Sequence, residues 1–217
     1  MIDFGNIERA IHELQCGRMV VIIDDDDREN EGDLVVAGEF VTPDAINFMV
    51  THARGLICVA IDASIAQRMK LYPMVERNQD DLGTNFTVSI DGSPAHGVTT
   101  GISAYDRAAT VQILLNAESK PSDLRRPGHI FPLVAHPEGV LARRGHTEAS
   151  TDLCEMAGLL RAAVIVEILS KDGHMAREAD LKAFSAKHNF VTVTVEEISQ
   201  VRKAMDLLNH EVAVTEK

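Results

Sequence analysis

The chain has 217 residues and carries 33 Asp and Glu against 21 Lys and Arg, a formal net charge of −12. Hydrophobic residues make up 45%, enough for a sizeable core, yet no run approaches the roughly 18 apolar residues that a membrane-spanning helix requires. With no Trp and 4% aromatics, the acidic chain lacks the basic, aromatic-rich surface that neutralises phosphates and stacks bases, which argues against nucleic acid as a partner. Met1 to Ala10 includes Asp3 and Glu8 and no apolar signal core, so a leaderless cytoplasmic protein is expected. Cys16, Cys58 and Cys154 stand far apart and in no CxxC pattern, so they read as reduced packing residues.

In chain order, Ile7, Ile11 and Leu14 fall at helical spacing ahead of Gly17, a helix stop. Met19 to Ile23 reads as a buried strand ending in four aspartates, and Leu34 to Val36 resumes the apolar pattern. Thr42-Pro43-Asp44 starts a helix, which Gly55 would close. Leu56 to Ile61 and Phe86 to Ile90 are strands, the second with Phe86, Val88 and Ile90 on its apolar face and Thr87 and Ser89 on its polar one. Ser103 caps a helix ending near Asn116. Lys120 to Glu138, with four of the seven prolines, is expected to be mostly irregular. Thr147 to Met156 reads as a helix capped by Thr147 and stopped by Gly158, followed by the strand Val164 to Leu169 and a turn at Asp172-Gly173. Ala179 to His188 is helical, Phe190 to Val195 a strand and Glu196 to Leu208 a helix, with fraying from His210 to Lys217. No repeat or low-complexity linker interrupts this order. The expectation is one α+β (mixed α/β) domain over 1–217, core about 7–209, with a mixed sheet flanked by helices.

Three segments carry chemistry. Asp24 to Asp33 packs seven carboxylates and Arg28 into ten residues between two apolar runs. Most charge runs are solvated loops. Here strand-like residues flank the run on both sides, and Gly32 offers freedom for a tight ligand-holding turn. An EF-hand fails because its twelfth position is Gly38 and its flanks are strands. Oxygen-rich ligation with room for substrate suits magnesium or manganese. Arg143-Arg144-Gly145-His146-Thr147-Glu148 opens a helix, where free N–H groups and basic side chains suit a phosphate, although an ordinary helix start with solvated arginines reads equally well in isolation. Glu167 lies within the apolar run Val164 to Leu169, so it is either paired, ligated, raised in pKa by burial, or on the open face of an edge strand.

Asp27-Arg28-Glu29-Asn30-Glu31-Gly32-Asp33, Gly97-Val98-Thr99-Thr100-Gly101, Arg126-Pro127-Gly128-His129-Ile130-Phe131-Pro132 and Arg144-Gly145-His146-Thr147-Glu148-Ala149 occur in that order. With this ordered set, spanning about Ile7 to Asn209, the chain resembles the 3,4-dihydroxy-2-butanone 4-phosphate synthases of riboflavin biosynthesis. Arg54 departs from the pattern, standing where a small residue is expected. The resemblance implies conversion of D-ribulose 5-phosphate to the four-carbon ketone phosphate and formate, with magnesium, in a homodimer whose active sites lie near the subunit interface. It makes Glu29 and His146 metal ligands and places Arg28, Glu29, Asp33, Thr99, Arg143, Arg144, Gly145, His146, Thr147 and Glu167 against the substrate. His129 and Glu167 become essential positions, and Glu31 and Asp33 join them as candidate catalytic groups. Some relatives carry a fused GTP cyclohydrolase II domain, for which this chain is expected to be too short. Another metal-dependent sugar-phosphate isomerase or aldolase would use the same parts.

Overall fold

The computed structural model describes residues 4–215, with side chains described for 5–207. Helix α1 (Phe4–Gln15) leads into β1 (Val20–Ile23), and the acidic segment then returns the chain into β2 (Gly32–Ala37). Helix α2 (Pro43–Phe48) passes into a π-helical turn, Met49–Ala53. There follow β3 (Cys58–Ile61), α3 (Ala63–Arg68), β4 (Ile90–Gly92), α4 (Ala104–Leu115), β5 (Leu124–Val134), α5 (His146–Met156), β6 (Ala162–Glu167), α6 (Glu178–His188), β7 (Val191–Thr194) and α7 (Val195–Thr215). The strands form one mixed sheet in the order β4-β5-β3-β6-β2-β1-β7. The β1–β7 and β3–β5 pairs are parallel and the other pairs antiparallel.

Strand alternation divides the core in two. Val21, Leu34, Val36, Val59 and Ile61 pack against apolar residues of α2, α3, α4 and α6. Val20, Ile22, Val35, Ala37 and Ala60 face the other way, against Ile7 and Leu14 of α1, Leu153 of α5 and Ile198 of α7. The mixed sheet flanked by helices is therefore the expected architecture, and no helix among the described residues is long and apolar enough to cross a membrane.

Several local expectations are corrected. The segment Lys120 to Glu138 is not mainly irregular: it contains β5, eleven residues long. The strand tolerates its prolines because the ladder to β4 breaks there, Ile90 pairing with Ile130 but Asp91 with Arg125, so Pro127 lies in a bulge where no ladder N–H is required. Pro132 still offers its carbonyl, which accepts the Thr87 N–H at 2.9 Å. Phe86 and Thr87 form only isolated bridges, and burial is inverted before Ile90: Thr87 and Ser89 are buried, while Phe86 and Val88 are half-buried. Helix α2 does not close on Gly55, since the left-handed position after the π turn is Arg54, at φ 75. The cap of α5 is Gly145, and Thr147 sits inside the first turn. Cys16 is exposed, whereas Cys58 and Cys154 are buried as expected. Helix α7 continues through His210 to Thr215, where fraying was expected, and Glu216 and Lys217 lie outside the described residues.

Candidate active site

The site forms where the β2–β6 ladder meets the start of α5. Asp33 of β2 is directly opposite Glu167 of β6, which puts two carboxylates side by side on one face of the sheet. Asp33 shares that face with Val35, and Glu167 with Ile165, under α5. Burial pushes the Asp33 carboxyl up to about 7, with Glu167, Glu29 and Glu31 adding repulsion against the pull of His146. Glu167 is held from the other side: its Oε2 accepts the Leu56 N–H at 2.8 Å, and its carbonyl accepts the Gly55 N–H at 3.1 Å.

The acidic segment is a braced loop. Asp24, buried at its start, accepts the backbone N–H groups of Glu29 (3.1 Å) and Glu31 (2.8 Å) and pairs with Arg28 at 2.8 Å. Arg177 donates to the carbonyls of Glu29 and Asn30 from the α6 side. The left-handed residue is Asn30, at φ 55. Gly32 serves close packing instead, because a Cβ there would come within 2.6 Å of Leu181 of α6. This bracing points Glu29 at α5, where its Oε2 lies 3.4 Å from His146 Nδ1. The His146 contact leads in holding Glu29 below the usual carboxylate range, while burial and the neighbouring Glu29 raise Glu31. His146 itself is buried, which disfavours its charge, but Asp33, Glu29 and Asp24 overcome that and raise it to about 9.

Arg28, Glu29, Glu31, Asp33, Arg143, His146, Thr147 and Glu167 line a single pocket of about 150 Å³. Cys58, Thr84, Phe86, Leu133 and Ile165 complete its walls. Two buried polar atoms in it have no protein partner, His146 Nε2 and Asp33 Oδ1. Buried polar groups are almost always satisfied, so this pair marks a place for a ligand. Asp24, Glu29 and His146 each offer one donor atom within 4.8 Å of the others, the arrangement of a cation site. Asp24 already accepts three hydrogen bonds, which leaves Glu29 and His146 as its freer members.

The other sequence-derived residues lie elsewhere. Arg144 turns to Asp25 (2.7 Å) and to Glu196 of α7 (2.6 Å), tying the acidic loop to the last helix. Gly145 is the residue before α5, outside the pocket lining. Thr99 bonds Asp106 through both its N–H and its hydroxyl. His129 is outside the pocket as well, with Asp91 Oδ2 2.8 Å from its Nδ1 and Asp91 Oδ1 accepting its N–H. The sequence reading missed Asp24 as the loop brace, Asp91 as the partner of His129, and Thr84 and Cys58 as pocket walls. The first aspartate after a strand was a usable signal for Asp24. Thr84 had none, because it reaches the pocket only through its loop.

The family model for 3,4-dihydroxy-2-butanone 4-phosphate synthase matches residues 8–201. The chain is 51% identical over 210 residues to the riboflavin biosynthesis protein RibBA of Aquifex aeolicus (strain VF5), covering 97% of this chain and 52% of the relative. It is 52% identical over 198 residues to the 3,4-dihydroxy-2-butanone 4-phosphate synthase of Helicobacter pylori (strain ATCC 700392 / 26695), covering 90% and 57%. The chain thus spans about half the length of these curated relatives. Among solved structures, a 3,4-dihydroxy-2-butanone 4-phosphate synthase in complex with two magnesium ions superposes with a TM-score of 0.85 at 41% identity, covering 91% of this chain and 96% of the other. With the family model matching most of its length and Arg28, Glu29, Asp33, His146 and Thr147 of the ordered motifs lining one pocket, the chain belongs to the 3,4-dihydroxy-2-butanone 4-phosphate synthase family.

Proposed function

We propose that residues 1–217 act as one synthase domain, converting D-ribulose 5-phosphate to L-3,4-dihydroxy-2-butanone 4-phosphate and formate in riboflavin biosynthesis, in the cytoplasm. The observation that carries this reading is the pair of orphaned buried atoms, His146 Nε2 and Asp33 Oδ1, in a pocket that also presents Arg143 and Glu167. A carboxylate beside an imidazole whose Nε2 has no protein partner, among further oxygen donors, fits a hard divalent cation held through Glu29 and His146. When bound, magnesium, or manganese in its place, would supply Lewis-acid stabilisation of negative charge on neighbouring substrate oxygens.

The chain's own residues do the rest. Arg143 and the first turn of α5 bind the substrate phosphate by charge-assisted hydrogen bonds and the helix dipole. This holds the sugar carbons against the carboxylates, so that proton transfer becomes a unimolecular step. Asp33, near 7, can take up or release a proton at neutral pH. Glu167, fixed by the Leu56 N–H, and Glu31 stand beside it in the same pocket as further proton-transfer groups. Phe86, Leu133 and Ile165 give the pocket apolar walls that limit water.

The working unit in this reading is a homodimer. His129 and Thr99 lie outside the pocket of their own chain. Close to Thr99 in sequence, Ile102 and Tyr105 are 54% and 73% exposed, as befits a face covered by a second copy. Sedimentation at micromolar concentration should give about twice the 23.7 kDa chain mass; a fully active monomer would remove the dimer from the proposal. The activity is tested by incubating the protein with ribulose 5-phosphate and magnesium and measuring formate. One formate per substrate consumed is expected. Consumption without formate would replace this reading with an isomerase or aldolase.

A further inference from the structure

We propose that Thr84, at the end of a braced turn over residues 78–84, is the positioning residue for the phosphate-binding Arg143. The inference rests on the synthase reading for the identity of the phosphate ester, but its geometry stands on this chain alone. Arg143 is held at three points: Nη1 donates to Glu148 Oε2 at 2.6 Å, Nε to the Leu82 carbonyl at 3.1 Å and Nη2 to Thr84 Oγ1 at 3.0 Å. A guanidinium has five N–H donors in a rigid plane. Three are used in this way, which leaves one N–H on each terminal nitrogen for phosphate oxygens.

Two of the three anchors come from an exposed loop, where a flexible segment would give no orientation. This loop is braced. Asp80 Oδ2 accepts the Thr84 N–H at 2.7 Å, the Asn78 side-chain amide donates to the Thr84 carbonyl at 2.9 Å, and Asn78 Oδ1 accepts the Asp80 N–H at 2.9 Å. Side-chain bonds of this kind rigidify a turn without burial. Thr84 also lines the pocket, and its side chain, like its N–H, bonds the Asp80 carboxylate, which fixes the hydroxyl that Arg143 uses. The turn therefore sets the plane of the Arg143 fork from outside the acidic loop.

Thr84→Val keeps the shape and removes the acceptor. It should raise KM for ribulose 5-phosphate about tenfold, the scale of one hydrogen bond to a charged group, with kcat within about threefold. Thr84→Ser should restore KM, which a packing role for the lost methyl would not allow. Asn78→Ala, outside the pocket, should raise KM in the same direction by loosening the turn, and serves if Thr84→Val does not fold. Binding of inorganic phosphate, followed by calorimetry on the same variants, should weaken in parallel. Unchanged KM in Thr84→Val, or a fall in kcat alone, would overturn the proposal. Should the wild-type protein release no formate, the synthase reading fails while phosphate binding still decides on Thr84: equal affinity in wild type and Thr84→Val would overturn it.

Discussion

Gly55→Ala is a small change with a large expected effect. Gly55 is not at a positive φ, so the added methyl strains no backbone by conformation; the difficulty is space. A Cβ there would meet the Glu167 carbonyl, Glu167 Oε2 at 2.5 Å and Glu167 N at 2.8 Å, where ordinary contact begins near 3.4 Å. One side must therefore move by about 0.9 Å, from 2.5 to 3.4 Å. The β6 backbone is pinned, because Glu167 lies opposite Asp33 in the β2 ladder, so the side chain and the 55–56 segment must give. That breaks the 2.8 Å bond from Leu56 N–H to Glu167 Oε2. Overpacking costs ~1–3 kcal/mol and a bond to a carboxylate ~1.5–3 kcal/mol, so a combined loss of about 2.5–6 kcal/mol is expected. For a chain of this size, at about 2–4 °C per kcal/mol, that lowers Tm by roughly 5–24 °C. A misplacement near 1 Å at a reacting group costs on the order of 10² in turnover. The assays are formate release at saturating ribulose 5-phosphate and thermal unfolding. Because the effect runs through Glu167, adding Glu167→Gln, itself expected to cost ~10² or more, should lower the rate little further. A Gly55→Ala enzyme with wild-type kcat and Tm would refute the reasoning, as would full additivity of the two substitutions.

Glu29→Gln and His146→Ala should each abolish most formate release at limiting magnesium, with circular dichroism unchanged; chelation of the wild type should do the same and be reversed by added metal. Undiminished activity in either variant removes that residue from the cation site. His146, raised in the fold from 6.5 to about 9, contributes stability to the metal-free protein that is complete below about pH 6.5 and is lost as pH rises through 9. Magnesium needs the neutral imidazole, so its affinity should rise by up to about tenfold per pH unit between 7 and 9, with proton release measurable by calorimetry in buffers of different ionisation enthalpy. A Kd flat across that range would contradict the coupling. Arg144→Ala should change KM less than about twofold and lower stability by ~0.5–1 kcal/mol, since this half-exposed arginine bridges Asp25 and Glu196; a tenfold rise in KM would place it on the substrate instead.

Local signals survived where a single residue's physics governs the outcome. The Thr42 and Ser103 caps accept the N–H groups of Ala45 and Asp106 as their spacing implied. The acidic run does begin at the end of β1, where repulsion between its carboxylates is relieved by Arg28, Arg144 and Arg177. Elsewhere the residue was right and the reason different. Gly32 was assigned to a turn and Gly55 to a helix stop, yet both are needed because another element comes too close for a Cβ, Leu181 in one case and Glu167 in the other. Which chain will pass over a glycine is a fact about packing, and no periodicity carries it.

Most of the element order and the mixed sheet were legible from local pattern, and the same pattern singled out Glu29, Asp33, Arg143, His146 and Glu167 as candidates, because hydrophobic periodicity and ordered motifs are properties of neighbouring residues. Long-range pairing was not. That β5 would accommodate Pro127 depended on a bulge against β4, and that Asp33 would become the carboxyl near 7 depended first on its burial in the folded sheet and then on β6 placing Glu167 beside it. The split between residues inside the pocket and those outside it, with Arg144 drawn to α7 and His129 to Asp91, was likewise decided by the folded chain. Burial, repulsion and orphaned hydrogen-bonding atoms arise only when segments more than a hundred residues apart are brought together, so they belong to the tertiary structure and have no sequence signature.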